Sequence, residues 1–155
     1  MSFRITGLAA EPFAPLFGLS DSDLAALGAK RYIADTKPGF PDRIEVRDVE
    51  PGESVLLVNH VHQSGDTPYR ASHAVFVREG ATQTYDRIDE IPDALRCRIL
   101  SLRAFDATHM MIDADLLDGD ALEGGVARLL ANPDVAYVHA HYAKRGCYAA
   151  RIERA

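Results

Sequence analysis

The sequence predicts an α+β fold: a mostly antiparallel sheet of about six or seven strands with two main helices and one short helix. Three observations lead there. Segments with the two-residue alternation of half-buried strands recur along the chain, and tight turns join several of them, which implies antiparallel pairing. Helical periodicity is confined to two stretches, near residues 20–28 and 120–132. Apolar content of 47% and charged content of 26% are those of a globular chain. The 155 residues suit a single domain spanning 1–155, with no internal repeat, low-complexity tract or domain boundary.

In order, residues 1–18 mix Phe3, Ile5, Leu8, Phe13, Leu16 and Phe17 with two prolines and read as irregular chain laid over the core. Ser20, with Asp23 three residues on, makes an N-cap for the first helix; Leu19 and Leu24 have staple spacing, and Gly28 can end it. Residues 30–42, with Pro38, Gly39 and Pro41, read as loop. Strands follow at Arg43–Asp48, Ser54–His62 and Ala71–Arg78, then a short helix at Pro92–Arg98. Ile99–Phe105 and Met110–Leu116 are two strands around a turn at Asp106-Ala-Thr108. The next helix is announced by a capping box, Asp120 with Glu123, and by Leu122, Val126, Leu129 and Leu130 on one face. Gly124-Gly125 weakens it by about 1 kcal/mol per glycine, and Asn132-Pro133 stops it.

The last segment, Tyr137–Glu153, reads as a β-hairpin whose register can be argued. A three-residue loop, Lys144-Arg145-Gly146, places Gly146 where a left-handed residue is needed. His139 then faces Arg151, His141 faces Ala149, and Tyr142 faces Tyr148. One face becomes wholly apolar, with Val138, Ala140, Tyr142, Tyr148, Ala150 and Ile152. The other gathers Tyr137, His139, His141, Cys147, Arg151 and Glu153. A two-residue loop would set His139 against Ile152 and mix the faces.

Composition excludes several classes of function. A net charge of −6 argues against nucleic-acid binding, which needs a basic field. The charge is uneven, however: an acidic run at 113–123 contrasts with Lys144, Arg145, Arg151 and Arg154 near the C-terminus, which suits a small anion there. Two cysteines, without metal spacing, form no disulfide framework. No apolar run reaches membrane-spanning length, and Glu11, Pro12 and Pro15 spoil a signal peptide, so a cytoplasmic protein is expected.

Two His-x-His pairs, His60/His62 and His139/His141, each put two imidazoles on one face of a strand, as a metal would require. The stretch Gly52…His60-Val-His62-Gln-Ser-Gly-Asp66 is faintly similar to the first motif of cupin metal proteins. It departs in glycine spacing, and no second motif follows. Neither pair shows a third ligand, and Arg151 opposite His139 disfavours both imidazolium and a bound cation. The expectation is therefore no metal and no cofactor, with an anion held between neutral His139 and Arg151. Cys147, diagonal to His141 at about 7–8 Å, is a weaker candidate for a nucleophile than for a packed side chain. Tyr69, Arg70 and His73 bring phenol, guanidinium and imidazole to one loop–strand junction, with His62 at the mouth of the same loop. Arg103 is expected to pair with an acid, and His109 to be exposed.

Thr67-Pro-Tyr-Arg70 with Ser72-His73-Ala-Val-Phe-Val77, Leu100-Ser-Leu-Arg-Ala-Phe-Asp106, and Val138-His-Ala-His141 with Gly146-Cys-Tyr-Ala-Ala-Arg-Ile-Glu-Arg154 also carry a family resemblance. Over its full length the chain resembles a bacterial family catalogued as domain of unknown function 1203. The resemblance implies a compact stand-alone bacterial protein and brings no activity, substrate or cofactor. In that family's pattern tyrosine is common where His60 stands, which implies that the first His-x-His pair is not a family metal motif.

The reading that follows is a protein binding a small anionic or polar ligand in a pocket lined by His139, His141 and Arg151, joined by His62, His73, Tyr69 and Arg70. Whether it is an enzyme is left open. The alternatives are a neutral-histidine general base, a Cys147/His141 pair, or a protein-interaction module whose polar face is merely surface.

Overall fold

Eleven strands and three α-helices follow one another along residues 1–155, all of which the computed structural model describes. The chain starts in a strand, β1 (Phe3–Thr6), with Phe3 and Ile5 turned inward and Arg4 outward. In α1 (Asp21–Ala26) the Ser20 hydroxyl accepts the Asp23 N–H at 3.1 Å, as the cap reading requires. Next come β2 (Lys30–Ile33) and a two-residue hairpin pair, β3 (Pro41–Asp42) and β4 (Arg47–Asp48). They are followed by β5 (Ser54–Gln63), β6 (Ala71–Arg78), β7 (Asp86–Ile88) and α2 (Asp93–Arg96). The chain ends with β8 (Ile99–Phe105), β9 (Met111–Asp118), α3 (Leu122–Leu130), β10 (Tyr137–Tyr142) and β11 (Cys147–Arg154).

The main sheet has the order β7-β1-β11-β10-β8-β9, and a second sheet has the order β2-β5-β6; every pairing is antiparallel. On one face of the main sheet α3 packs Leu122, Val126, Leu129 and Leu130 against Leu100, Leu102, Val138, Ala140 and Ile152. Its Gly125 is there for closeness: a Cβ at that position would lie 2.2 Å from Leu117 Cδ2. The opposite face of β10 and β11 meets β5, whose His62 ring lies 4.9 Å from that of His141. A smaller core continues this contact, joining Leu56, Val58, Val75 and Val77 to Tyr148, Ile44, Phe13 and Leu24.

The α+β class and the antiparallel sheets are as predicted, with several local corrections. Only α3 has seven or more residues, so there is one main helix; the first is six residues long and buries only Leu24. Residues 3–6 and 30–33 are strands, not irregular chain and loop, because each finds a partner far away in sequence, β11 and β5. The predicted strand Arg43–Asp48 is mostly a tight turn, with Val46 at φ 50°. Asp120 does not cap α3: a short 3-10 turn precedes the helix, and Glu123 instead accepts from Arg96 at 2.6 Å.

The hairpin register is half as predicted. His139 faces Arg151 and Ala140 faces Ala150, but then the register shifts: His141 pairs with Tyr148, and Tyr142 with Cys147. Tyr148 and Ala149 together oppose His141, a β-bulge, and the loop is the four residues 143–146. Tyr148 therefore moves to the histidine face, and Cys147 joins Tyr142 in the larger core. The cause lies outside the hairpin. Arg43, 2% exposed, donates from Nε to the Tyr148 carbonyl at 2.9 Å, from Nη1 to the Pro41 carbonyl at 2.6 Å and from Nη2 to Cys147 Sγ at 3.0 Å. The bulge presents that carbonyl and that sulfur together to one guanidinium.

Candidate functional site

Because side chains alternate along a strand, β10 turns Tyr137, His139 and His141 to the face that β5 covers. His139 and His141 are 4% and 1% exposed. His62 reaches them from the second sheet, its ring 6.2 Å from that of His139 and 4.9 Å from that of His141. One ligating atom from each of the three imidazoles can be chosen so that all lie within 4.8 Å of one another. Tyr148 forms the wall: it stacks on His62 at 5.5 Å with a 6° interplanar angle, and stands edge-on to His139 at 5.0 Å. The bulge that breaks the predicted register is what puts this ring there.

The proton positions follow from the hydrogen bonds. His141 Nδ1 lies 2.9 Å from the Gly146 carbonyl, which can only accept, so Nδ1 carries the hydrogen and Nε2 keeps its lone pair. His141 Nε2, His139 Nδ1 and His62 Nδ1 are buried without a hydrogen-bond partner. Burial pushes the pKa of His62 down to about 4 and those of His139 and His141 down to about 3. For His139 the neighbouring imidazoles, Arg151 and Arg103 add to this. All three are neutral imidazoles at neutral pH.

Two arginines flank this cluster, since His139 faces Arg103 on β8 and Arg151 on β11. Arg151 is engaged: it pairs with Glu153 at 3.1 Å and lies 4.1 Å over the Tyr137 ring. Arg103 is not. Its one contact is Nε to Ser101 Oγ at 3.4 Å, it has no carboxylate partner, and burial lowers its pKa. The expected Arg103 ion pair is absent because the residue opposite it on β9 is Ala114. Exposure rises from β10 across β8 to β9, where Ile112 and Leu116 are 41% and 66% exposed, so the seam opens past Arg103.

The other predicted residues are placed less centrally. His73 faces His60 on the strand beside β5 and is half-buried. Tyr69 touches the site through Phe105, whose ring is 6.3 Å from Tyr69 and 5.1 Å from His139. Arg70 is exposed and spends Nη1 on the Ser64 carbonyl at 2.7 Å, so it braces its own loop. His109 is exposed as expected, yet its Nδ1 lies 2.6 Å from Tyr137 Oη, which also accepts from Gln63 at 2.9 Å. Sequence reasoning missed Tyr148 and Arg103 as members of the site. Alternation along Ser101-Leu-Arg103-Ala-Phe105 marks one polar face of β8, but nothing local says that β8 lies beside β10. Two surface depressions, of about 470 and 540 Å3, lie elsewhere, around Arg96–Ile99 with Asp118–Ala121 and around Glu45–Asp48 with Tyr85 and Glu90–Ala94. Neither contains an imidazole.

The Cys147/His141 pair does not form: His141 Nε2 has no partner, and Cys147 Sγ contacts Arg43 in the core. Cys97, by contrast, is exposed. Iodoacetamide should therefore label Cys97 first, with Cys147 at least about tenfold slower because its thiol needs local opening. Residue-resolved mass spectrometry measures this. Equal rates, with Cys147 slowed in His141→Ala, would restore the thiol reading.

Two facing antiparallel sheets with a three-imidazole seam between them define the class: an α+β protein organised around an inter-sheet polar cluster. The chain belongs to the family described as Protein of unknown function (DUF1203), whose model matches residues 39–154. No curated protein and no solved structure matches the chain. The family span contains His62, Arg103, His139, His141, Tyr148 and Arg151. No helix is long and apolar enough to cross a membrane.

Proposed function

We propose that the protein binds a small anionic molecule in the seam, at the guanidinium of Arg103. The observation behind this reading is that a half-buried Arg103 has no carboxylate partner and borders three imidazoles. An unpaired, partly desolvated cation is costly, and an oxyanion would relieve the cost through the planar, two-donor fork of arginine. Neutral imidazoles add no competing anion, and Ser101 offers a hydroxyl beside the fork. Other polar ligands remain compatible with the same donors. The burial of His139 and His141 weighs against a simple interaction surface, and their low pKa values weigh against a general base working at neutral pH. A reducing bacterial cytoplasm suits the two free cysteines.

The test uses chelator-treated protein with phosphate or malonate, against chloride at matched ionic strength. A ligand at one hundred times its Kd adds about 2.7 kcal/mol of stability, or about 5–10 °C in Tm for a chain of this size. Arg103→Met should lose this response, and Arg70→Met should keep it. Without anion, Arg103→Met should melt at or above the wild type, since it removes an unpaired charge. An unchanged anion response in Arg103→Met, or none in the wild type, would end the proposal.

A further inference from the structure

Buried polar atoms are nearly always hydrogen-bonded, and groups left without partners call for an explanation. Here His62 Nδ1, His139 Nδ1 and His141 Nε2 are all buried and unpartnered, on three rings that face one another across two sheets. We infer that His62, His139 and His141 form a binding site for a divalent late first-row metal ion of the zinc class. The sequence argument against metal rested partly on a missing third ligand. That ligand is His62, supplied by β5 from the other sheet.

The donor set selects the ion. With no carboxylate or thiolate among the three ligands, magnesium and calcium, which take oxygen donors, are disfavoured; imidazole suits zinc, cobalt, nickel and copper. His141 has the orientation that metal-bound histidines use, its second nitrogen donating to a backbone carbonyl so that the first presents its lone pair. Metal–nitrogen distances of about 2.0–2.1 Å at tetrahedral angles put ligand nitrogens about 3.3 Å apart. From a spread of up to 4.8 Å the rings close by an ångström or so on binding. Three protein ligands leave a fourth position open, the pattern of reactive rather than purely structural zinc sites.

The objection from Arg151 is reduced, because its guanidinium is paired with Glu153. Arg103 keeps its charge, and an anion completing the metal's coordination would offset it. The metal and anion readings share a seam but rest on different observations: unpartnered nitrogens for one, an unpaired guanidinium for the other.

The experiment uses the full chain without a polyhistidine tag, stripped with EDTA and titrated with Co2+. The expected result is one equivalent bound at micromolar affinity or tighter, with the visible absorption of four-coordinate cobalt, which Zn2+ then abolishes. His62→Ala and His141→Ala, checked for folding by circular dichroism, should weaken binding by about 100-fold or more. His60→Ala and His73→Ala should bind as the wild type does. His62 is only half-buried, so its variant keeps the test usable if the others fail to fold. Arg103→Met should still bind cobalt while losing the phosphate response, which separates failure of this inference from failure of the anion proposal. No stoichiometric cobalt absorption in the wild type, or unchanged binding in folded His62→Ala, overturns the site.

Discussion

Lowering the pH of the metal-free protein from 7 to 5 is expected to cost about 4 kcal/mol of stability through His139 and His141 alone. Burial holds both near a pKa of about 3 in the folded chain, against an ordinary value of 6.5. Between these values the unfolded chain binds more protons than the folded one. The stability associated with the neutral rings is therefore fully present above pH 6.5 and is lost as pH falls toward 3. At pH 5 the difference is about 2 kcal/mol for each ring, against a total of about 5–15 kcal/mol for a typical domain. His62 adds to the loss in the same direction. Urea midpoints in EDTA at pH 7, 6 and 5 measure it. His139→Gln with His141→Gln should flatten the profile, and a flat profile in the wild type would show that the rings are not sealed from water.

Arg43→Met is expected to destabilise the protein by about 3 kcal/mol. The substitution leaves the carbonyls of Tyr148 and Pro41 buried without a donor, at about 1–3 kcal/mol each, and removes the cation lying 5.0 Å over the Tyr142 ring. Removing a buried charge that has no carboxylate partner offsets part of that loss. The distinctive consequence is local. Arg43 holds the bulge, so the variant should exchange its Tyr148 and Ala149 amides faster and bind cobalt more weakly. A urea midpoint within the equivalent of 0.5 kcal/mol of the wild type, with unchanged exchange, would show that the bulge stands without Arg43.

His139 faces Arg151 as the three-residue loop predicted, but only because a four-residue loop and a one-residue bulge cancel; the Ser20 cap and the apolar face of α3 were readable because capping and helical periodicity are local properties. The α+β class was readable for the same reason: strand and helix periods are properties of neighbouring residues. The position of Tyr148 was not. It depends on Arg43, more than a hundred residues earlier, bonding a carbonyl that only a bulge exposes. Nor could the chain say that His62 meets His139 and His141, because that contact joins strands of two sheets. Arg103 could be seen on a polar strand face, but its lack of an acid partner came from Ala114 standing opposite on β9. Alternation along an unbulged strand is local, and it was enough to place His139 and His141 on one face. Which faces meet was decided by the tertiary structure, where distant apolar surfaces are buried against one another and carry their polar residues with them.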